Sequence, residues 1–96
     1  MTGEAEEIEE LRGRLSALMV NYPDVEPRVG KTVELLDVLI TRPQHPGLMQ
    51  FAINDLLTLR VQMTAVYERF PEIRRPVQPI MELLNRLLQE VAETRH

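Results

Sequence analysis

Apolar residues recur every three or four positions along most of the chain, as they do on one face of an α-helix. The pattern predicts four amphipathic helices: one over about residues 4–20, a second that ends near residue 42, a third over about 48–69 and a fourth that ends near residue 94. No stretch shows the alternation of apolar and polar residues that is typical of a β-strand. The four apolar seams are, in chain order, Ile8, Leu11, Leu15, Leu18 and Tyr22; Val29, Val33, Leu36 and Ile40; Met49, Ala52, Leu56, Leu59, Met63, Val66 and Phe70; and Val77, Met81, Leu84, Leu88 and Val91.

The two halves of the chain resemble each other when residues 11–42 are aligned with residues 59–90, at an offset of 48 positions and without a gap. Nine of the 32 aligned pairs are identical, at positions 11, 12, 17, 23, 29, 34, 35, 36 and 39 of the first half. The turn Tyr22-Pro23-Asp24-Val25 aligns with Phe70-Pro71-Glu72-Ile73, in register with the seams on both sides. Leucines align by chance between any two amphipathic helices, but such a turn rarely does. The pattern therefore predicts an internal duplication of a helical hairpin.

Each residue of this repeated turn has a structural explanation. The aromatic residue closes the seam of one helix, and the proline ends that helix because it has no N–H group. The acid, Asp24 or Glu72, is expected to cap the next helix, and the β-branched residue to pack against the core. The two acids are therefore predicted to be structural, and not a catalytic carboxylate pair.

Two hairpins are few for an open solenoid, which usually needs three or more repeats. Their apolar faces are covered either by each other, in a bundle, or by a second copy or another protein. The short connections favour antiparallel neighbours. We predict an all-α fold in which two tandem helical hairpins, over about residues 4–42 and 48–94, pack as an antiparallel four-helix bundle. The 96 residues are expected to form a single helical domain.

The third helix carries a second apolar stripe, formed by Ile53, Leu57 and Val61, which lies about 100–180° around the helix from Ala52. The first helix has small or charged residues at the equivalent positions, namely Ala5, Glu9 and Gly13. One interpretation, which the pattern favours, is that the third helix touches three neighbours and the stripe belongs to the core. The other is that the stripe is an exposed interface patch.

Phe51 also falls away from the main seam, so it is either an interface anchor or an edge residue covered by a neighbouring helix. The candidate interface residues are therefore Phe51, Ile53, Leu57 and Val61.

Composition and charge argue against several classes of function. The net charge is −4, and the basic residues are scattered and not gathered into the stripe that nucleic acids bind, so no nucleic-acid partner is expected. The most apolar stretch, residues 48–67, has too many polar residues for a membrane span, so no membrane partner is expected either; they include Asn54, Asp55, Thr58, Arg60, Gln62 and Thr64. The acidic N-terminus does not resemble a secretory signal, and a cytoplasmic location is expected. The chain has no cysteine and therefore no disulfide or thiol chemistry.

No residue set carries a recognisable catalytic or metal-binding pattern. His45 and His96 lack the spacing of a metal site, and Ser16, the single serine, has no nucleophile motif around it. Gly30-Lys31-Thr32 lacks the upstream glycine of a phosphate-binding loop. We therefore expect no catalytic residues, cofactor or metal.

The sequence favours a non-catalytic protein–protein interaction module, such as a small adaptor, scaffold or assembly chaperone. Its expected partner is another protein or a second copy in a homodimer. The alternative is a small-ligand-binding or enzymatic helical bundle with a site near Arg60, which lies beside the core sector of the third helix.

Overall fold

The computed structural model describes residues 4–41 and 46–94, and within these ranges only Tyr22 and Phe70 are not helical. The four helices are α1 (Glu4–Asn21), α2 (Glu26–Thr41), α3 (Pro46–Arg69) and α4 (Arg74–Thr94). Two single-turn 3₁₀ helices, Pro23–Val25 and Pro71–Ile73, join the helices of each hairpin. The described residues contain no β-strand, so the predicted all-α class is confirmed.

The predicted duplication is present in the backbone of the two connecting turns. Tyr22 has φ −135° and ψ 79°, and Phe70 has φ −123° and ψ 90°, so both leave the helix in the same way. The N–H of Tyr22 donates to the carbonyl of Leu18 at 2.8 Å, and that of Phe70 to Val66 at 3.0 Å. A proline follows each aromatic residue at the first position of the 3₁₀ turn, where its fixed φ fits and its missing N–H costs nothing.

The expected capping role of the two acids is wrong. Neither Asp24 nor Glu72 forms a capping hydrogen bond with the described residues, and each lies within its 3₁₀ turn. Backbone bonds satisfy the turn instead: Val25 donates to Tyr22 at 3.0 Å and Ile73 donates to Phe70 at 3.1 Å. Since each 3₁₀ turn leads directly into the following helix, the N–H groups that a side chain would cap already have backbone partners.

The helices pack as a closed ring. Helix α1 packs against α2 and α4, and α3 packs against the same two helices, while the Cα atoms of α1 and α3 stay more than 8 Å apart. The four seams bury one another, which confirms the antiparallel four-helix bundle. Equivalent positions of the two hairpins are buried together: Leu11 and Leu59, Leu15 and Met63, Leu18 and Val66, Val25 and Ile73, Val29 and Val77, Leu35 and Leu83, Leu36 and Leu84, and Leu39 and Leu87.

Not every residue of the predicted seams is shown to be buried. Ile40 and Phe70 are exposed, Phe70 by 45%, because both lie at the ends of helices where fewer neighbours cover them. The side chains of Met49 and Val91 lie outside the described residues.

One buried hydrogen bond joins the two hairpins across the contact of α2 and α3. Thr32 is almost fully buried, and its Oγ1 donates to Oδ2 of Asp55 at 2.7 Å. The duplication does not repeat this pair, because Ile80 stands at the position equivalent to Thr32 and Glu7 at that equivalent to Asp55. The polar contact is therefore specific to the α2–α3 side of the bundle.

Substitution Thr32→Val should lower the free energy of unfolding by about 1–2 kcal/mol, because it keeps the shape of the side chain and removes the donor from a partly buried carboxylate. Urea unfolding followed by circular dichroism measures the change. Thr58→Val is the matched control, since the Thr58 hydroxyl is exposed and donates only to the carbonyl of Asn54 within its own helix. An equal loss in both variants would contradict a special role for the Thr32–Asp55 bond.

Candidate functional site

The second apolar stripe of α3 lies on the surface. Leu57 is 39% exposed and Val61 is 69% exposed, while Ile53 is half-buried. The core interpretation of this stripe is therefore wrong for Leu57 and Val61. The physical reason is the ring arrangement: α3 packs against two helices and not three, so one of its sides faces solvent.

Phe51 is also exposed, by 64%, but it does not join the stripe. Leu57 lies six positions after Phe51, which places the two side chains about 120° apart around the helix. The sequence-predicted interface residues thus form two separate exposed sites on α3. The stripe is the larger site, and Phe51 stands alone.

Arg60 lies beside the stripe and differs from its counterpart in the first hairpin. Arg12 forms an ion pair with Asp37, from its Nε to Oδ1 and from its Nη2 to Oδ2. At the equivalent positions, Nη1 of Arg60 donates to Oδ1 of Asn85 at 3.4 Å. Both arginines therefore connect the two helices of their own hairpin. Asn85 is neutral, and no carboxylate of the described residues lies within ion-pair distance of the Arg60 guanidinium. The charge of Arg60 is therefore not compensated as that of Arg12 is.

A groove adjoins Arg60 between α3 and α4. It has a volume of about 380 Å³ and is open to solvent. Val61 belongs to both the stripe and the groove, so the two form one continuous surface. The groove is lined by Arg60, Val61, Thr64, Ala65, Glu68, Met81 and Asn85.

A second cleft, of about 410 Å³, lies at the end of the bundle where the two connecting turns approach each other. The hydroxyl of Tyr22 donates across it to the backbone carbonyl of Glu72 at 3.5 Å. Asp24 and Arg28 line the cleft with the apolar residues of both turns. The predicted antiparallel bundle already places both turns at the same end, and the structure shows that they come close enough to share one cleft.

The acidic start of α1 contains one carboxyl with a perturbed pKa. Burial raises the pKa of Glu7 above its ordinary value of 4.5, and a hydrogen bond and the negative charge of Glu90 raise it further. Glu10 acts in the same direction, whereas the positive charge of Arg86 opposes the shift. One oxygen of Glu7, Oε2, is buried and has no hydrogen-bond partner among the described residues. The sequence indicated only that an acid is favourable at a helix N-terminus.

Two further properties of the described residues bear on the class of function. They contain no group of three or more histidine, cysteine or acidic residues arranged to hold a metal ion. None of their helices is long and apolar enough to cross a membrane. His45 and His96 lie outside the described residues. In comparisons with known proteins, no family model, no curated protein and no solved structure matches this chain.

The raised pKa of Glu7 predicts a pH dependence of stability. A carboxyl whose pKa is higher in the folded than in the unfolded chain stabilises the fold below its unfolded pKa, and this stabilisation is lost as the pH rises through the folded value. Glu7→Gln should therefore make the free energy of unfolding less sensitive to pH above about 4.5 and higher than that of the wild type at neutral pH.

Urea unfolding at a series of pH values measures this dependence. Glu9→Gln is the matched control, since Glu9 lies on the same helix and is exposed. Identical pH profiles for the wild type and Glu7→Gln would contradict the assignment.

Proposed function

We propose that this protein is a non-catalytic protein–protein interaction module whose binding surface is the apolar stripe of α3. The observation that carries the proposal is the exposure of Leu57 and Val61 on the solvent-facing side of a helix whose core seam is already buried. Covering such side chains with a partner is favourable, at about 25 cal/mol for each Å² of apolar surface removed from water. A small adaptor, a scaffold or an assembly chaperone would use a surface of this kind.

Comparison of the two hairpins supports the proposal. Both hairpins bury the same core positions, yet the first has Glu9 and Gly13 where the second has Leu57 and Val61. Apolar side chains at these two positions are therefore not needed to build the hairpin. Their presence in one half alone is explained by a contact outside the chain.

Self-association is the form of interaction that we expect first. On the side of the stripe away from Arg60, the exposed positions Asn54 and Thr58 are neutral. In a two-fold symmetric dimer each patch meets a copy of itself, so a neutral patch avoids repulsion between like charges.

Substitution Val61→Asp should weaken self-association by about tenfold or more, because it places a charge in the centre of the apolar surface. Sedimentation velocity over a wide range of protein concentrations measures the effect. Val20→Asp is the matched control, since Val20 is an exposed valine of α1 away from this surface. A wild-type protein that stays monomeric throughout, or equal losses in both variants, would contradict self-association through the stripe.

A second candidate function is the binding of a small anionic ligand, or an enzymatic reaction of one, in the groove beside Arg60. The specific support is that the guanidinium lies at a groove of about 380 Å³ and has a neutral amide as its partner. A small dicarboxylate such as succinate is a suitable probe, because a carboxylate pairs well with a guanidinium.

Titration with succinate should shift the NMR signals of Arg60 and Asn85 in a saturable way, and Arg60→Gln should abolish the shifts. Arg14→Gln is the control, since Arg14 is exposed on α1 and pairs with Glu10. Shifts that are absent, or that spread equally over all arginines, would contradict a site in the groove.

A further inference from the structure

The groove side of α3 carries one charge of each sign, two helical turns apart. Arg60 and Glu68 both line the groove. They are eight positions apart on the helix, which corresponds to about 12 Å along its axis. Neither forms an ion pair with the described residues. Arg74 lies near Glu68, but it donates to the backbone carbonyl at 3.3 Å and not to the carboxylate. Between the two charges lie Val61 and Ala65, which continue the apolar stripe.

We propose that this face is a self-complementary dimer interface in which α3 packs antiparallel against α3 of a second copy. The two-fold axis passes close to Val61 and Thr64, so that Arg60 pairs with Glu68 of the partner subunit and Glu68 with the partner's Arg60. The inference rests on the proposed function, because it assigns a partner and a register to the same surface.

The charge pattern is what selects a second copy as the occupant. A two-fold axis brings position i against position j and position j against position i. Arg60 and Glu68 stand four residues before and four residues after Thr64, so the axis brings each charge against its opposite. The dimer thus supplies both missing counter-charges with residues that the chain already has.

Two apolar side chains of this face lie between the charges, and a third precedes Arg60. Leu57, Val61 and Ala65 are spaced four apart and follow one side of the helix. The small side chain of Ala65 near the axis lets two helices approach closely. All three are exposed and therefore accessible to a second copy.

The first hairpin lacks this pattern. Arg12 is already neutralised by Asp37, and Val20 stands at the position equivalent to Glu68. Gly13 takes the place of Val61. The described part of the chain therefore presents one such face and not two, so a two-fold dimer occupies it and does not continue into a filament.

Charge exchange tests the register. Arg60→Glu and Glu68→Arg should each weaken dimerisation by about tenfold, because both turn two attractive contacts into repulsive ones. The double variant should dimerise like the wild type. An equimolar mixture of the two single variants should form a heterodimer, since both contacts are then between opposite charges. Sedimentation velocity measures the dimers, and circular dichroism verifies that each variant is folded.

The control variant exchanges two exposed charges of α4 that are also two turns apart, Arg75→Glu with Glu82→Arg, and should leave dimerisation unchanged.

A monomeric wild type would overturn the inference. A dimer that Val61→Asp disrupts but charge exchange does not would overturn the register while the proposed function stands. Single variants that stay monomeric when mixed would also overturn the register. Neutral Arg60→Gln, which should weaken the dimer less than Arg60→Glu, gives an independent measurement if a charge-reversed variant does not fold.

Discussion

The mutual burial of four apolar seams is the constraint on which the rest of this structure depends. Neither hairpin can bury its seam alone, and the two together form a core from equivalent positions of both halves. The repeated proline turn makes this possible, because it reverses the chain at the same point of each seam. Residues outside the seams are free of this constraint, so differences between the halves there carry information about function.

Three such differences concern polar contacts. The Arg12–Asp37 ion pair becomes an Arg60–Asn85 hydrogen bond in the second hairpin, where no described carboxylate pairs with the arginine. The Thr32–Asp55 bond has no counterpart, since Ile80 replaces the threonine. Glu7 stands where the second half has Asp55, and its buried Oε2 has no hydrogen-bond partner in the described part of the chain. In each case one half has a polar partner at a position where the other half lacks it.

The apolar difference points in the same direction. Leu57 and Val61 are exposed in the half that also carries the uncompensated arginine. An apolar stripe that borders an unpaired charge is typical of the centre and rim of a protein interface. The first half has Glu9 and Gly13 at the positions of Leu57 and Val61, and its Arg12 is paired with Asp37. The two halves share a fold, and among the described residues only the second combines this exposed stripe with an arginine that has no carboxylate partner.

The sequence by itself determined the four helices, the duplication at an offset of 48 and most of the core, because helical periodicity and proline turns are local properties. It also identified Leu57, Val61 and Arg60 as residues to explain. The tertiary structure decided which side of α3 faces solvent, since that depends on how many helices surround it and not on its own pattern. Tertiary packing likewise placed Asn85 beside Arg60, brought the two turns together at one cleft, and buried one oxygen of Glu7. Each of these contacts joins residues far apart in the chain, and no local periodicity encodes them.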